Sequence, residues 1–203
     1  MNNIKLIFII YLFLLFRTST KSYAQHFDIN LLSKIHADSS SIKDNSFNFL
    51  SNTAAPFAVI SPITIVITGF VNKDEGLKRE GYRAAASLAL NSAITFGLKY
   101  AVNRNRPFVT YPDKLNPKAH VGPFSFPSGH TSTAFSMATS LTLATKKWYV
   151  AVPAFAWASG VAYSRMYLGV HYPSDLLGGM IIGIGTSLLT WQIDKWLIKN
   201  QKF

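Results

Sequence analysis

Five apolar segments dominate the chain: about Thr53 to Val71, Tyr82 to Ala101, Thr131 to Thr145, Tyr149 to Tyr163 and Leu176 to Ile193. They predict helices, with Pro56, Pro62 and Pro153 early enough to act as starts or kinks. Small residues four apart, such as Gly179 and Gly183, suit close helix packing. The expected architecture is therefore all-α, a multi-helix bundle that is transmembrane, with its functional site at one end. A membrane span takes about 20 mostly apolar residues. The second, third and fourth segments lie nearer the lower limit, and the mean hydropathy of +0.19 is modest for a multi-span protein.

Two further patterns precede the bundle. Lys5 followed by the apolar run Leu6 to Phe16, then Ser22-Tyr23-Ala24 before Gln25, reads as an export signal over residues 1–24 cleaved after Ala24. Arg17 and Lys21, between the run and that site, favour the alternative of an uncleaved signal anchor. Residues 25–52 are polar, with scattered apolar positions at Phe27, Ile29, Leu31, Leu32 and Ile35. They read as a short amphipathic helix and a loop on the outside of the domain or on the membrane surface, with His26 and His36 solvated. The remaining residues, 53–203, form the helical domain.

Composition narrows the setting. The chain is 49% hydrophobic and only 14% charged, against roughly 25% charged residues in soluble domains. Much of it is therefore buried in protein or in lipid. Twenty Lys and Arg against nine Asp and Glu give a net charge of +11, yet no basic run alternates with aromatic residues as in a nucleic-acid binder. Anionic lipid or phosphate is the better partner. The absence of cysteine excludes disulfides and thiolate metal sites.

Counting segments from an outside N-terminus puts Lys73, Lys78, Arg79, Arg83, Lys146, Lys147 and the lysines of the tail on the cytoplasmic side. The loops from Lys99 to His130 and from Arg165 to Asp175 then share the outer face. Arg104, Lys114 and Lys118 also fall outside, against the charge rule. The chain is accordingly expected in a bacterial cell envelope, integral to the membrane, with its site facing outward.

Those outer loops carry the chemistry. Lys99 and Arg106-Pro107 put two cations at a helix mouth, where the Arg106 fork suits phosphate oxygens; alone, such a pair is weak evidence and is usually an interfacial anchor or a dipole partner. Pro127-Ser128-Gly129-His130 opens a helical run, offering free N–H groups to an anion with Ser128 as cap. Ser164-Arg165, His171 and Asp175 surround a turn in which the carboxylate can fix the imidazole tautomer and leave the other nitrogen free to attack phosphorus. Together they supply three cations, a helix start, two histidines and a carboxylate, a kit for phosphoryl transfer that calls for no metal or cofactor.

At these residues the chain resembles the type 2 phosphatidic acid phosphatases, whose signature runs K-x6-R-P, P-S-G-H, S-R-x5-H-x3-D. Every position is present, as Lys99, Arg106, Pro107, Pro127, Ser128, Gly129, His130, Ser164, Arg165, His171 and Asp175. The resemblance covers about Tyr82 to Leu197. It implies that His171 is the nucleophile forming a phosphohistidine, that Asp175 orients it and that His130 protonates the leaving oxygen. Lys99, Arg106, Arg165 and the Ser128 and Gly129 amides would hold the phosphoryl group.

Similar enzymes act on phosphatidic acid, phosphatidylglycerol phosphate, undecaprenyl pyrophosphate or lipid A phosphates, so the expected substrate is a lipid or isoprenoid phosphate. Tyr111, His120, Phe124 and Phe126 are candidates for substrate selection, or else anchor their loop. Three alternatives stay open: an exported soluble acid phosphatase, a vanadium haloperoxidase, and a membrane protein that binds phospholipid without turnover.

Overall fold

The computed structural model describes residues 21–36 and 40–200. The apolar run of the expected signal segment lies outside them. The described residues form helices α1 (Lys21–His36), α2 (Ser41–Asn52), α3 (Ala54–Val71), α4 (Glu75–Val102), the single turn α5 (Pro107–Thr110), α6 (Gly129–Thr145), α7 (Trp148–Tyr167) and α8 (Pro173–Asn200). The five apolar segments lie in α3, α4, α6, α7 and α8. Pro62 and Pro153 sit inside continuous helices.

Local signals set the boundaries. Ser40 caps α2 by accepting from the Lys43 amide, and Asp74 caps α4 by accepting from the Leu77 amide at 2.9 Å. Left-handed residues close two helices, Asn103 with φ 48° after α4 and Lys146 with φ 54° after α6. Charged turns extend α4 and α8 to 28 residues each, about 42 Å at 1.5 Å per residue.

Helix α6 is the central post, packed against α3, α4, α7 and α8. Its side chains are small, and those from Ser136 to Ser140 are all buried. On α8, a Cβ on Gly183 would sit 2.2 Å from the Ser132 carbonyl, and one on Gly179 would sit 2.7 Å from the Ser128 carbonyl. Only glycine lets the two backbones meet this closely. Ser136 and Ser187 then bond across the contact at 3.0 Å. The apolar core is Ala54, Ala134, Phe135, Ala138, Ala158 and Val161.

Large hydrophobic side chains cover the outside as well, including Phe57, Ile60, Ile63 and Ile67 on α3 and Leu177, Ile181 and Ile193 on α8. The stretches Ser41–Val71 and Pro173–Asn200 are long and apolar enough to cross a membrane. Only 22% and 28% of their most apolar windows are buried within the protein. Their apolar faces therefore point outward, as lipid-facing helices require and soluble ones avoid.

The N-terminal segment departs from the sequence expectation. It is two helices, and it is packed into the end of the bundle that holds the loops after α4 and α7. Ile29 and Leu32 are buried with Leu115 and Tyr172. His36 is buried too, its Nδ1 3.0 Å from the Tyr167 carbonyl and its Nε2 accepting from the Asn116 amide at 3.2 Å. Weak periodicity over residues 25–52 concealed this, because the segment's buried polar groups are satisfied by residues far away in the chain.

Candidate active site

The C-terminal ends of α4 and α7 and the N-terminal ends of α6 and α8 meet at one end of the bundle, so the motifs converge as the sequence implies. His171 lies in the turn between α7 and α8 and is 2% exposed, while Asp175 in the first turn of α8 is 0% exposed. His171 Nδ1 is 3.4 Å from Asp175 Oδ2. An ionised carboxylate only accepts, so it places the imidazole proton on Nδ1 and leaves Nε2 unprotonated, where its lone pair accepts from Arg106. Nε2 lies 3.2 Å from Arg106 Nη1. Burial, reinforced by the charges of Arg106 and Arg165 and opposed by Asp175, pushes His171 down to about 3. It is therefore a neutral imidazole at neutral pH, the form a nucleophile needs.

Three cations surround this nitrogen's end of the bundle. Arg106 donates to the carbonyls of Gly122 at 2.6 Å and Val170 at 2.7 Å. Burial lowers it to about 10, with Asp175 acting the other way, so it remains charged at neutral pH. Lys99 Nζ straps the loop onto the end of α4 through the carbonyls of Phe124 at 3.1 Å and Pro127 at 2.9 Å. Arg165 is 2% exposed and uses Nη1 on the Ser51 hydroxyl. Its Nε and Nη2 are buried and meet no partner among the described residues. Such donors are costly unless an anion satisfies them.

The start of α6 is arranged differently from the expectation in one respect. The Ser128 amide donates to the Asp175 carbonyl at 3.1 Å, so it is already committed and ties α6 to α8. Ser128 acts as the cap, its oxygen accepting from Thr131 N at 3.4 Å and Thr131 Oγ1 at 2.9 Å. Its own hydroxyl proton, with the Gly129 and His130 amides of the first turn, is what this residue and its neighbours can offer an anion. His130 stands half-buried in that turn.

Four residues around the site escaped the sequence reading: Arg104, Asp28, Ser125 and Ser51. Ser125 donates to Asp175 Oδ2, and Arg104 Nη1 donates to Asp175 Oδ1 at 2.7 Å. Arg104 Nη2 reaches Asp28 on α1 at 3.0 Å. The one available signal was Arg104 itself, a cation that violated the charge rule on the outer side. Lys118, another exception, pairs with Asp44 at 3.1 Å. The loop aromatics pack: Phe124 meets Tyr100 edge-on at 5.2 Å, Phe126 covers Gly178, and Tyr111 packs against the Ile29 and Leu32 cluster. His120 is exposed.

A groove of about 330 Å³ opens beside Lys99, Gly129 and His130 and runs between α3, α4 and α6 past Ala54, Ala55 and Phe96. Its walls are mainly apolar.

The chain is similar to several known proteins. The undecaprenyl-diphosphatase of Sulfolobus acidocaldarius is 27% identical over 178 residues, 83% of this chain and 79% of its own. The lipid A 4'-phosphatase of Bacteroides thetaiotaomicron is 42% identical over 62 residues, 30% of this chain and 28% of its own. The crystal structure of a transmembrane PAP2-type phosphatidylglycerolphosphate phosphatase from Bacillus subtilis shares the fold, with a TM-score of 0.74 at 24% identity over 93% of this chain and 94% of that one. The family model described as PAP2 superfamily matches residues 81–199, a stretch that holds all the motifs above, and the chain belongs to that superfamily.

Proposed function

We propose that this PAP2-superfamily phosphatase hydrolyses a phosphate or diphosphate carried on a lipid or isoprenoid chain, at the outer face of a bacterial membrane. The observation that carries this reading is the apolar groove opening at Lys99, Gly129 and His130. It gives a hydrocarbon chain a place to lie between helices while its phosphate enters the cationic end of the bundle.

In this reading the phosphoryl oxygens are held by Arg106, Arg165, Lys99, the Ser128 hydroxyl and the Gly129 and His130 amides, which stabilise the charge that shifts in the transition state. Nε2 of His171 attacks phosphorus as the bond to the leaving oxygen breaks. His130, made imidazolium by a proton that the negative charge of the bound phosphate favours against the burial and cations lowering it in the empty site, gives that oxygen its proton. Asp175 balances the positive charge arising on the imidazole of the phosphohistidine. Water then attacks phosphorus, His130 takes a proton from it, and inorganic phosphate leaves with His171 restored.

The test is phosphate release by the detergent-purified protein in EDTA, run on undecaprenyl pyrophosphate, phosphatidic acid, phosphatidylglycerol phosphate, a lipid A phosphate and a soluble aryl phosphate, with His171→Ala as control. Preference for a lipid over the aryl phosphate supports the proposal and names the substrate. Turnover of the aryl phosphate alone overturns the lipid assignment in favour of a non-specific acid phosphatase.

A further inference from the structure

We propose that Arg104 and Asp28 are positioning residues for the His171–Asp175 pair, so that the N-terminal helix α1, outside the family's matched region, contributes to turnover. This rests on His171 being the nucleophile, but not on which phosphate ester it attacks.

The two oxygens of Asp175 are sorted. Oδ2 receives Ser125 Oγ, the Tyr172 amide at 2.9 Å and His171 Nδ1. Oδ1 receives Arg104 Nη1 at 2.7 Å. A carboxylate held at both oxygens cannot rotate, so Oδ2 stays presented to the imidazole. Arg104 is also the one cation paired with this buried carboxylate among the described residues, His171 being neutral. Without it Asp175 would face the developing imidazolium from a looser geometry.

Arg104 in turn needs to be held. Its guanidinium lies over the Tyr172 ring at 4.0 Å, and a cavity of about 270 Å³ lined by Arg104, Asn105, Thr110, Tyr111 and Tyr172 gives it room to swing away. Asp28 opposes this, alongside the Ser174 hydroxyl, which accepts from Arg104 Nη1 at 2.7 Å. One of its oxygens takes Arg104 Nη2 at 3.0 Å and the Ser174 hydroxyl, and the other takes the Ser174 amide at 3.1 Å. Asp28 thus bridges the guanidinium to the start of α8, two residues after Tyr172 and one before Asp175. The planar fork of arginine serves two carboxylates at once, a geometry lysine cannot reproduce. Both carboxylates are nearly inaccessible, with side-chain exposures of 6% for Asp28 and 0% for Asp175.

The variants Arg104→Gln, Arg104→Lys, the near-isosteric Asp28→Asn and the double variant Arg104→Gln/Asp28→Asn test this, in the full chain in detergent. Phosphate release is followed on the wild type's best lipid and on an aryl phosphate, with orthovanadate inhibition as a separate reading of the phosphate cradle. The expected result is kcat lowered about tenfold or more in Arg104→Gln, less in Asp28→Asn, and partly restored in Arg104→Lys, with KM and vanadate inhibition within about twofold. The double variant should be no slower than Arg104→Gln alone, because the two residues act through one contact. Unchanged kcat in Asp28→Asn and Arg104→Lys, losses confined to KM, or losses that multiply in the double variant would overturn the proposal. Should Arg104→Gln fail to fold, Asp28→Asn and Arg104→Lys still decide it. Wild-type activity on aryl phosphate alone would sink the lipid assignment and leave this test intact.

Discussion

The two ends of the bundle treat charge in opposite ways. At one end, Arg79 grips Asp194 with Nε and Nη2 at 2.9 and 2.8 Å, while Arg83 contacts both Asp194 and Glu80. Two arginines meet two carboxylates, and the charge closes on itself. At the other end, Lys99, Arg104, Arg106 and Arg165 face only Asp28 and Asp175, and both carboxylates are claimed by Arg104. Lys99, Arg106 and Arg165 are left with neutral partners, namely carbonyls, a hydroxyl and the His171 imidazole. The same helices α4 and α8 run through both ends, so the fold is able to neutralise its arginines. Where it leaves a surplus of two positive charges, a doubly charged phosphate would complete the balance in the proposed function.

The comparison breaks most sharply at His171. His171→Ala should lower turnover by at least about three orders of magnitude while leaving the folded bundle intact, measured as phosphate release together with thermal unfolding in detergent. Activity close to wild type would remove the nucleophile assignment.

Next come the arginines of the two ends. Arg165→Lys, which keeps charge but loses the fork, should cost about a hundredfold or more in kcat/KM with little change in melting temperature. Arg83→Met should do the reverse, lowering stability by about 1–3 kcal/mol with kcat/KM preserved in the folded fraction. Equal behaviour of the two variants would erase the distinction between a satisfied and an unsatisfied end.

A smaller and more pointed effect concerns pH. A proton on His171 removes the attacking lone pair, so activity is lost as pH falls through its pKa. Because burial brings that pKa down from the ordinary 6.5 to about 3, the free enzyme should show no loss from His171 between pH 7 and 5. Nitrogen chemical shifts of the labelled His171 ring should report a neutral imidazole throughout that range; a transition near 6.5 would contradict it.

The smallest expected effect is that of EDTA. Turnover should stay within about twofold on chelation, since the cations proposed to hold phosphate are side chains.

How far the sequence could be read follows from the range of the interactions involved. Ser128 as an N-cap, Asp175 one turn after His171 and the glycine pair on α8 are contacts or spacings within a few residues, and all appear in the structure. The N-terminal segment was misplaced because Asp28, His36 and Ser51 are polar, and polarity argues for a surface unless a distant partner is known. Those partners are Arg104 at a separation of 76 residues and Arg165 at 114, with Tyr167 at 131 for His36. Ser128 was read correctly as a cap and less well as an amide donor, since nothing in its neighbours foretells the carbonyl of Asp175.

Residue types and short-range spacing thus determined the helical order, the membrane-like composition and the inventory of candidate nucleophile, acid and cations, because helix periodicity and motif chemistry are local properties. Tertiary structure alone decided which groups share a proton or a charge. Gly179 and Gly183 let α8 close on α6 to backbone contact, and only that approach, together with the docking of α1, brings Asp28, Arg104 and Ser125 around Asp175 and leaves two donors of Arg165 unmatched. Electrostatic and hydrogen-bond energies depend on distances of a few ångströms between chain-distant atoms, and no one-dimensional pattern encodes those.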